Sequence, residues 1–113
     1  MKRRLSLESS ADRIKSVILQ IPSGRVTSYG RIAAMAGLIN GARTVARILH
    51  SSSRACGLAW WRIVKADGRI ALGRGSGFEA QQAALLAEGV AVDEDGVVDL
   101  GEYGWNGEEA GLP

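Results

Sequence analysis

The side chains best suited to covalent or metal chemistry in this chain are one thiol, Cys56, and one imidazole, His50. A single cysteine cannot form an intramolecular disulfide, and one cysteine with one histidine gives too few ligands for a structural zinc site. A nucleophilic thiolate needs an adjacent base or cation that lowers its pKa. Because Cys56 stands beside Gly57 without a histidine neighbour, we expect no thiol chemistry, no metal and no cofactor.

The distribution of charge is the second chemical feature. The net charge of the 113 residues is only +2. All fourteen Lys and Arg lie in residues 1–74 with three acids, a net charge of +11, whereas residues 75–113 hold nine acids and no base, a net charge of −9. The bases are spread through apparent secondary structure and do not form an amphipathic membrane helix, so the pattern favours nucleic acid as the partner. A solvated basic surface is the alternative.

The basic residues must be positioned by helices, and the first predicted helix follows an N-terminal segment without periodicity. Residues 1–9 are polar and basic without periodicity, so we expect a loose arm there. Ser10 can cap a first helix, which Pro22 ends and whose apolar residues recur at helical spacing: Ile14, Val17, Ile18 and Ile21. The chain has neither a membrane-spanning apolar run nor a signal-peptide pattern, so we expect a cytoplasmic protein.

The next two helices have the outline of a helix-turn-helix. The second covers about 29–36, with Thr27 or Ser28 as its cap and Gly37 at its end. The third covers about 41–50 and is expected to expose Arg43 and Arg47 and to bury an apolar face: Ala42, Val45, Ile48 and Leu49. Any pair of antiparallel helices needs a small residue at the crossing and a glycine in the turn, so this outline alone does not identify a DNA-binding motif.

The remaining sequence predicts a polar loop over 51–59 and then a small β-hairpin. Its strands are 61–65 and 69–72, joined by a tight turn at Asp67-Gly68. The glycine-rich stretch 72–77 is too irregular for a nucleotide site. A fourth helix covers about 78–88.

We therefore expect one domain, residues 10–100, that is mostly α with a small β-hairpin (α+β). Residues 101–113 form an acidic tail. Tyr103 and Trp105 in this tail are either a partner surface or, in the interpretation we favour, a packed C-terminal edge.

Four ordered motifs resemble the DNA-binding domain of the O6-alkylguanine-DNA alkyltransferases. Residues 21–30 (IPSGRVTSYG) are similar to the family pattern I-P-x-G-x-V-x-S-Y-G, and 42–46 (ARTVA) to A-R-A-V-G. Residues 59–63 (AWWRI) stand at the active-site line P-C-H-R-V, and 85–89 (LLAEG) at a leucine pair followed by E-G. The resemblance covers about 12–90 and implies a winged helix-turn-helix-like fold of the alkyltransferase C-terminal type.

Two departures from that family bear on activity. Trp60 stands at the reactive cysteine and Trp61 at the histidine that activates it, while the glutamate is kept as Glu88. Indole offers neither a thiolate nor a base that titrates near neutral pH. A tryptophan at the nucleophile position is typical of alkyltransferase-like proteins, which the chain most resembles. Those proteins bind O6-alkylguanine in DNA without dealkylating it and pass the lesion to nucleotide excision repair.

The resemblance also implies roles for individual residues. Arg43 is the finger that enters the duplex and replaces a flipped nucleotide, with a phosphate contact as the alternative. Tyr29 presses on the neighbouring phosphate, or serves only in packing. The implied lesion pocket holds Trp60, Trp61, Arg74, Tyr29 and Glu88, although Arg74 falls one position after the family's loop arginine.

The helix-turn-helix of this family enters the minor groove, where sequence readout is degenerate. Further DNA contacts are expected from small and basic residues: Thr27, Ser28, Ala42, Arg25, Arg31, Arg47 and Arg54. Arg62 is expected to tie the active-site strand to its neighbours, and Trp60, without its motif, would be interpreted as an ordinary core residue.

The predicted function is therefore recognition of O6-alkylguanine in double-stranded DNA by a non-enzymatic monomer that flips the nucleotide. We expect no membrane partner, and association with the nucleoid if the source is bacterial. Two alternatives remain: a small helix-turn-helix transcription regulator, which would read sequence regardless of damage, and an active alkyltransferase that uses Cys56.

Overall fold

The elements of the chain lie within residues 9–107, the part that the computed structural model describes. In chain order they are α1 (Ser10–Leu19), β1 (Thr27–Ser28), α2 (Tyr29–Met35), α3 (Ala42–Cys56), a 3-10 turn (Trp60–Arg62), β2 (Ile63–Val64), α4 (Phe78–Ala87) and α5 (Leu100–Tyr103). Helices dominate and the sheet has two short strands, so the predicted α+β fold class is confirmed.

Helix α1 begins one residue earlier than its predicted cap implied. The Ser9 hydroxyl accepts a hydrogen bond from the Asp12 backbone N–H at 3.1 Å, so Ser9 is the cap and Ser10 is already helical. Ile14 and Ile18 are buried, as the helical spacing predicted. Of the predicted arm, residues 1–8 lie outside the described part of the chain.

Helices α2 and α3 cross closely around a glycine turn. Ser28 caps α2, because its hydroxyl accepts from the Arg31 N–H at 3.1 Å. Gly37 has a φ of +84°, which glycine adopts at little cost, and ends the helix as predicted. A Cβ on Gly41 would come within 2.8 Å of the Leu38 Cβ and 3.0 Å of the Ala33 Cβ. Gly41 and the small Ala33 are therefore required by close packing at this turn, whereas Gly37 is favoured by its backbone conformation.

Helix α3 is longer than predicted. It continues through the expected loop to Cys56 and ends at Gly57, whose φ is +64°. The serines that suggested a loop bond back to their own helix: Ser51 Oγ donates to the Arg47 carbonyl at 3.1 Å, and Ser53 Oγ to the Leu49 carbonyl at 2.6 Å. At the other end of α3, Ala42 is exposed and not buried as expected, because it stands in the first turn.

The predicted hairpin of strands 61–65 and 69–72 is reduced to one backbone bond across its turn, from the Lys65 N–H to the Arg69 carbonyl at 2.9 Å, and the strands themselves pair elsewhere. Strand β2 pairs in parallel with β1, Thr27 opposite Ile63 and Ser28 opposite Val64. Ile63 and Val64 are both fully buried, a continuous apolar pair suited to an internal strand. The chain does turn at Asp67-Gly68, but the Ile70 N–H then bonds to the carbonyl of Gly96, a residue from a later turn.

The C-terminal segment closes the core. Trp105 is 1% exposed and its backbone N–H donates to the Val26 carbonyl at 2.8 Å, while the Val26 backbone N–H donates to the Tyr103 carbonyl at 2.9 Å. For Trp105 the packed C-terminal edge is confirmed, and Tyr103 is partly buried against neighbouring apolar residues. Residues 108–113 of the predicted acidic tail lie outside the described range. Between residues 9 and 107, no helix is long and apolar enough to cross a membrane.

Candidate nucleic-acid interface

An open cleft of about 770 Å³ lies between the C-terminal half of α3 and the 3-10 turn. Helix α3 contributes its polar side, and the Gly57-Leu58 connection and the two tryptophans form the remainder. The lining residues are His50, Ser51, Ser53, Arg54, Gly57, Leu58, Trp60 and Trp61. This volume falls in the range of small-molecule sites, roughly 300–1,000 Å³.

The two tryptophans of the cleft stand edge to face. Their ring centroids are 5.9 Å apart and the ring planes meet at 88°. Both side chains are half-buried: Trp60 packs against the core formed by α1, α2 and α3, and Trp61 against the core around α4. The pair therefore presents an apolar wall to the cleft while it is fixed from behind by the core.

Glu88, which follows α4, accepts hydrogen bonds from three residues in two other segments of the chain. It accepts from the Trp61 indole N–H at 2.8 Å, the Gly24 backbone N–H at 2.9 Å and the Arg62 guanidinium at 2.7–3.1 Å. Arg62 also donates to the Ile21 carbonyl at 2.8 Å. The predicted structural role of Arg62 therefore has a geometric basis, because one guanidinium links the 3-10 turn to Glu88 and to the segment after α1.

The charge state of Glu88 follows from these contacts. Burial alone raises the pKa of the carboxyl group, but hydrogen bonds from Arg62, Gly24 and Trp61, together with the Arg62 charge, outweigh burial and lower the pKa to about 2. At neutral pH Glu88 is a fully ionised acceptor. It lies behind Trp61 and is not among the residues that line the cleft.

Gln81 supports the same turn and was missed by the sequence analysis. Its side chain is 1% exposed, and its amide donates to the carbonyls of Trp61 at 3.1 Å and Ile63 at 2.9 Å. The available signal was its spacing, since Gln81 stands three residues after Phe78 and four before Leu85 on the buried face of α4. Buried polar groups are usually hydrogen-bonded, so a glutamine on an apolar face indicates a partner backbone.

The predicted DNA-contacting residues fall into two groups. Arg31, Ala42, Arg43 and Arg47 are exposed on α2 and α3. Thr27 and Tyr29 are buried or half-buried, and burial raises the pKa of the Tyr29 phenol. Arg25 is half-buried and donates to the Gly104 carbonyl, which holds the C-terminal segment against β1.

Arg74 lies apart from the cleft. Its guanidinium carbon is 4.3 Å from the centroid of the Phe78 ring, and Nη2 donates to the Glu94 carbonyl at 2.7 Å. Neither Arg74 nor Tyr29 lines the cleft, whereas Trp60 and Trp61 do. Arg54, which the sequence analysis assigned to phosphates, lines the cleft together with His50.

The sequence of this chain matches a known family and several of its members. Residues 9–90 match the family model described as 6-O-methylguanine DNA methyltransferase, DNA binding domain. A "DNA base-flipping protein" from Escherichia coli (strain K12) is 39% identical over 99 residues, which cover 88% of this chain and 76% of the relative. "Alkyltransferase-like protein 1" from Schizosaccharomyces pombe is 28% identical over 95 residues, 83% of this chain and 85% of that protein.

A solved structure agrees with both the fold and the family. S. pombe Atl1 in complex with damaged DNA containing O6-carboxymethylguanine superposes with a TM-score of 0.77 and 26% identity, covering 85% of this chain and 94% of that one. The matched residues 9–90 include α1 to α4 and the tryptophan pair. The chain therefore belongs to the 6-O-methylguanine DNA methyltransferase DNA-binding family and is an alkyltransferase-like protein.

Proposed function

We propose that this protein binds double-stranded DNA that carries an O6-alkylguanine, flips the modified nucleotide into the cleft beside Trp60, and leaves the alkyl group in place. The observation that carries the proposal is that Trp60 and Trp61 line an open cleft. The motif resemblance assigns these two residues to the nucleophile and base positions of the family. The names of the relatives support it, since one is a base-flipping protein and another is solved with damaged DNA.

The absence of transfer follows from the chemistry of the cleft. An indole has no nucleophilic atom comparable with a thiolate, and the one polar atom of Trp61 is an N–H that is already donated to Glu88. Cys56 is exposed at the last residue of α3 and does not line the cleft. This placement argues against the alternative of an enzyme that uses Cys56.

Docking on DNA would use the exposed start of α3. Ala42 and Arg43 are exposed in its first turn, and Arg47 follows one turn later. A small residue permits close approach to the groove floor, and an exposed arginine can enter the space that a flipped nucleotide leaves. Arg31 and Arg47 would neutralise phosphates. The protein would act as a monomer and present the bound lesion to nucleotide excision repair.

A competition experiment with two duplexes tests the proposal. The duplexes have the same sequence and differ only in one O6-methylguanine, and the protein is titrated against both at fixed salt. We expect clearly tighter binding to the modified duplex in several sequence contexts. Equal affinity for both duplexes would contradict the proposal, and strong preference for one sequence regardless of the methyl group would indicate a transcription regulator.

A further inference from the structure

We propose that the cleft favours O6-alkyl groups that end in a negative charge, and that Arg54 provides this preference. The inference rests on the proposed function, because it takes the cleft beside Trp60 as the place where the alkyl group lies. Arg54 stands one helical turn after His50 on α3, and both side chains are exposed and line the cleft. Residues four apart share a helix face, so the cation lies on the cleft side of α3.

The polar groups around Arg54 leave its guanidinium available. Within residues 9–107, Arg54 forms neither a side-chain hydrogen bond nor an ion pair with another residue. The neighbouring hydroxyls of Ser51 and Ser53 have their hydrogens directed at carbonyls of their own helix, Arg47 and Leu49, at 3.1 and 2.6 Å. The guanidinium therefore remains a strong donor on this wall, and carboxylates are its best acceptors.

Negative charge from the protein does not compensate Arg54 in the cleft. None of the residues that line it is acidic. The Glu88 carboxylate, which accepts from the Trp61 indole, does not line the cleft and is neutralised by Arg62 at 2.7 Å. An uncompensated guanidinium beside an apolar indole wall suits an adduct with a methylene next to the guanine oxygen and a carboxylate at its far end.

The experiment compares an acidic adduct with a neutral one of the same shape. Two duplexes carry O6-carboxymethylguanine, the adduct in the S. pombe complex, or O6-carbamoylmethylguanine, and two further duplexes carry O6-methylguanine or guanine. Affinities are measured at one salt concentration for the wild type, Arg54→Gln and Arg47→Gln. Arg47 lies on the same helix outside the cleft lining, so its variant controls for the loss of one positive charge near DNA.

We expect the wild type to bind the carboxymethyl duplex about fivefold more tightly than the carbamoylmethyl duplex, the upper range for solvent-accessible ion pairs. Arg54→Gln should bind the carboxymethyl and carbamoylmethyl duplexes equally well. Arg47→Gln should bind both duplexes more weakly than the wild type and keep the fivefold ratio between them. An unchanged ratio in Arg54→Gln would overturn the inference and leave Arg54 as a phosphate contact. If the O6-methylguanine duplex binds no better than the guanine duplex, the proposed function itself fails.

Discussion

The hydrogen bond from Trp61 determines what Glu88 can do chemically. An imidazole has two ring nitrogens, so it can bond to a carboxylate with one and accept a proton from a thiol with the other. The indole of Trp61 has a single N–H, which donates to Glu88 at 2.8 Å. Any proton relay from the cleft to Glu88 therefore ends at Trp61, and a cysteine at position 60 would still lack an activating base.

Single substitutions of Arg43 and Arg47 test the proposed distinction between base flipping and general attraction to DNA. Both are exposed on α3, so replacement by alanine should leave folding unchanged. We expect Arg43→Ala to reduce the preference for an O6-methylguanine duplex over guanine by about tenfold, because flipping costs a few kcal/mol that the finger offsets. Arg47→Ala should weaken binding to both duplexes and keep the ratio. Titration of both variants measures this, and an unchanged ratio in Arg43→Ala would remove the finger role.

The 3-10 turn illustrates how an irregular element is held in place by polar contacts. Gln81 holds the carbonyls of Trp61 and Ile63, and Glu88 holds the Trp61 and Arg62 side chains. Arg62 extends the network to Ile21, two residues after the last residue of α1. The orientation of the cleft wall consequently depends on one carboxylate that joins α4, the turn and the segment before β1.

The low pKa of Glu88 predicts a pH dependence of folding. The pKa is lowered from 4.5 to about 2 in the folded protein, so the ionised carboxylate stabilises the fold above pH 4.5 and this contribution is lost as the pH falls toward 2. The shift corresponds to about 3 kcal/mol. Urea unfolding at pH 7 and at pH 3 should show a fall in stability for the wild type.

Glu88→Gln should lower the free energy of unfolding by about 2–3 kcal/mol at pH 7, because the Arg62 guanidinium loses its counter-charge. The free energy of unfolding should also become less sensitive to pH between 4.5 and 2, because the titrating carboxyl group is gone. Asp67→Asn is the matched control, since Asp67 pairs with Arg69 at 3.4 Å on the surface and should change stability little. Equal effects of the two substitutions would contradict the assigned role of Glu88.

The same elements explain how far sequence reasoning reached. Periodicity located α1, α2 and α4, because each has a regular apolar face and a distinct cap or glycine. Periodicity predicted too early an end for α3, because serine occurs in loops but also in helices, where its hydroxyl can bond to a carbonyl one turn earlier. It paired β2 with the wrong segment, since the partner of a parallel strand is remote in sequence.

The site was foreseen only in part for a related reason. The motif resemblance identified Trp60 and Trp61, which share the cleft, but not the packing that directs Arg74 toward Phe78 and Glu94. Contacts between loops depend on tertiary structure and carry no periodic signal. Arg54 was noticed only as a charge, because the predicted end of α3 at residue 50 hid its place on the helix face.

At the scale of the whole molecule, the C-terminal segment completes a core that begins at the first helix. Trp105 packs into the cluster formed by α1, α2 and α3, and the segment also bonds to Val26 beside β1. The segment thereby fixes the strand that leads into α2. All Lys and Arg residues lie before residue 75, in the part of the chain that contains α2 and α3.

Trp105→Ala tests this closing role. Removal of a large side chain that is 1% exposed should lower the free energy of unfolding by about 3–5 kcal/mol. Leu86→Ala is the control, because Leu86 is 52% exposed and its truncation should cost less than about 0.5 kcal/mol. Denaturant titrations measure both values, and a Trp105 variant as stable as the control would show that the segment is dispensable.

The protein is proposed to bind an alkylated guanine without removing the alkyl group. The most direct test is to measure the masses of the protein and of the modified DNA strand after binding. The protein is incubated with an O6-methylguanine duplex, the complex is isolated, and intact masses of the protein and of the modified strand are measured. We expect a stable complex in which the strand retains its methyl group and the protein mass is unchanged. A protein heavier by one methyl group, with a strand that has lost it, would contradict the account.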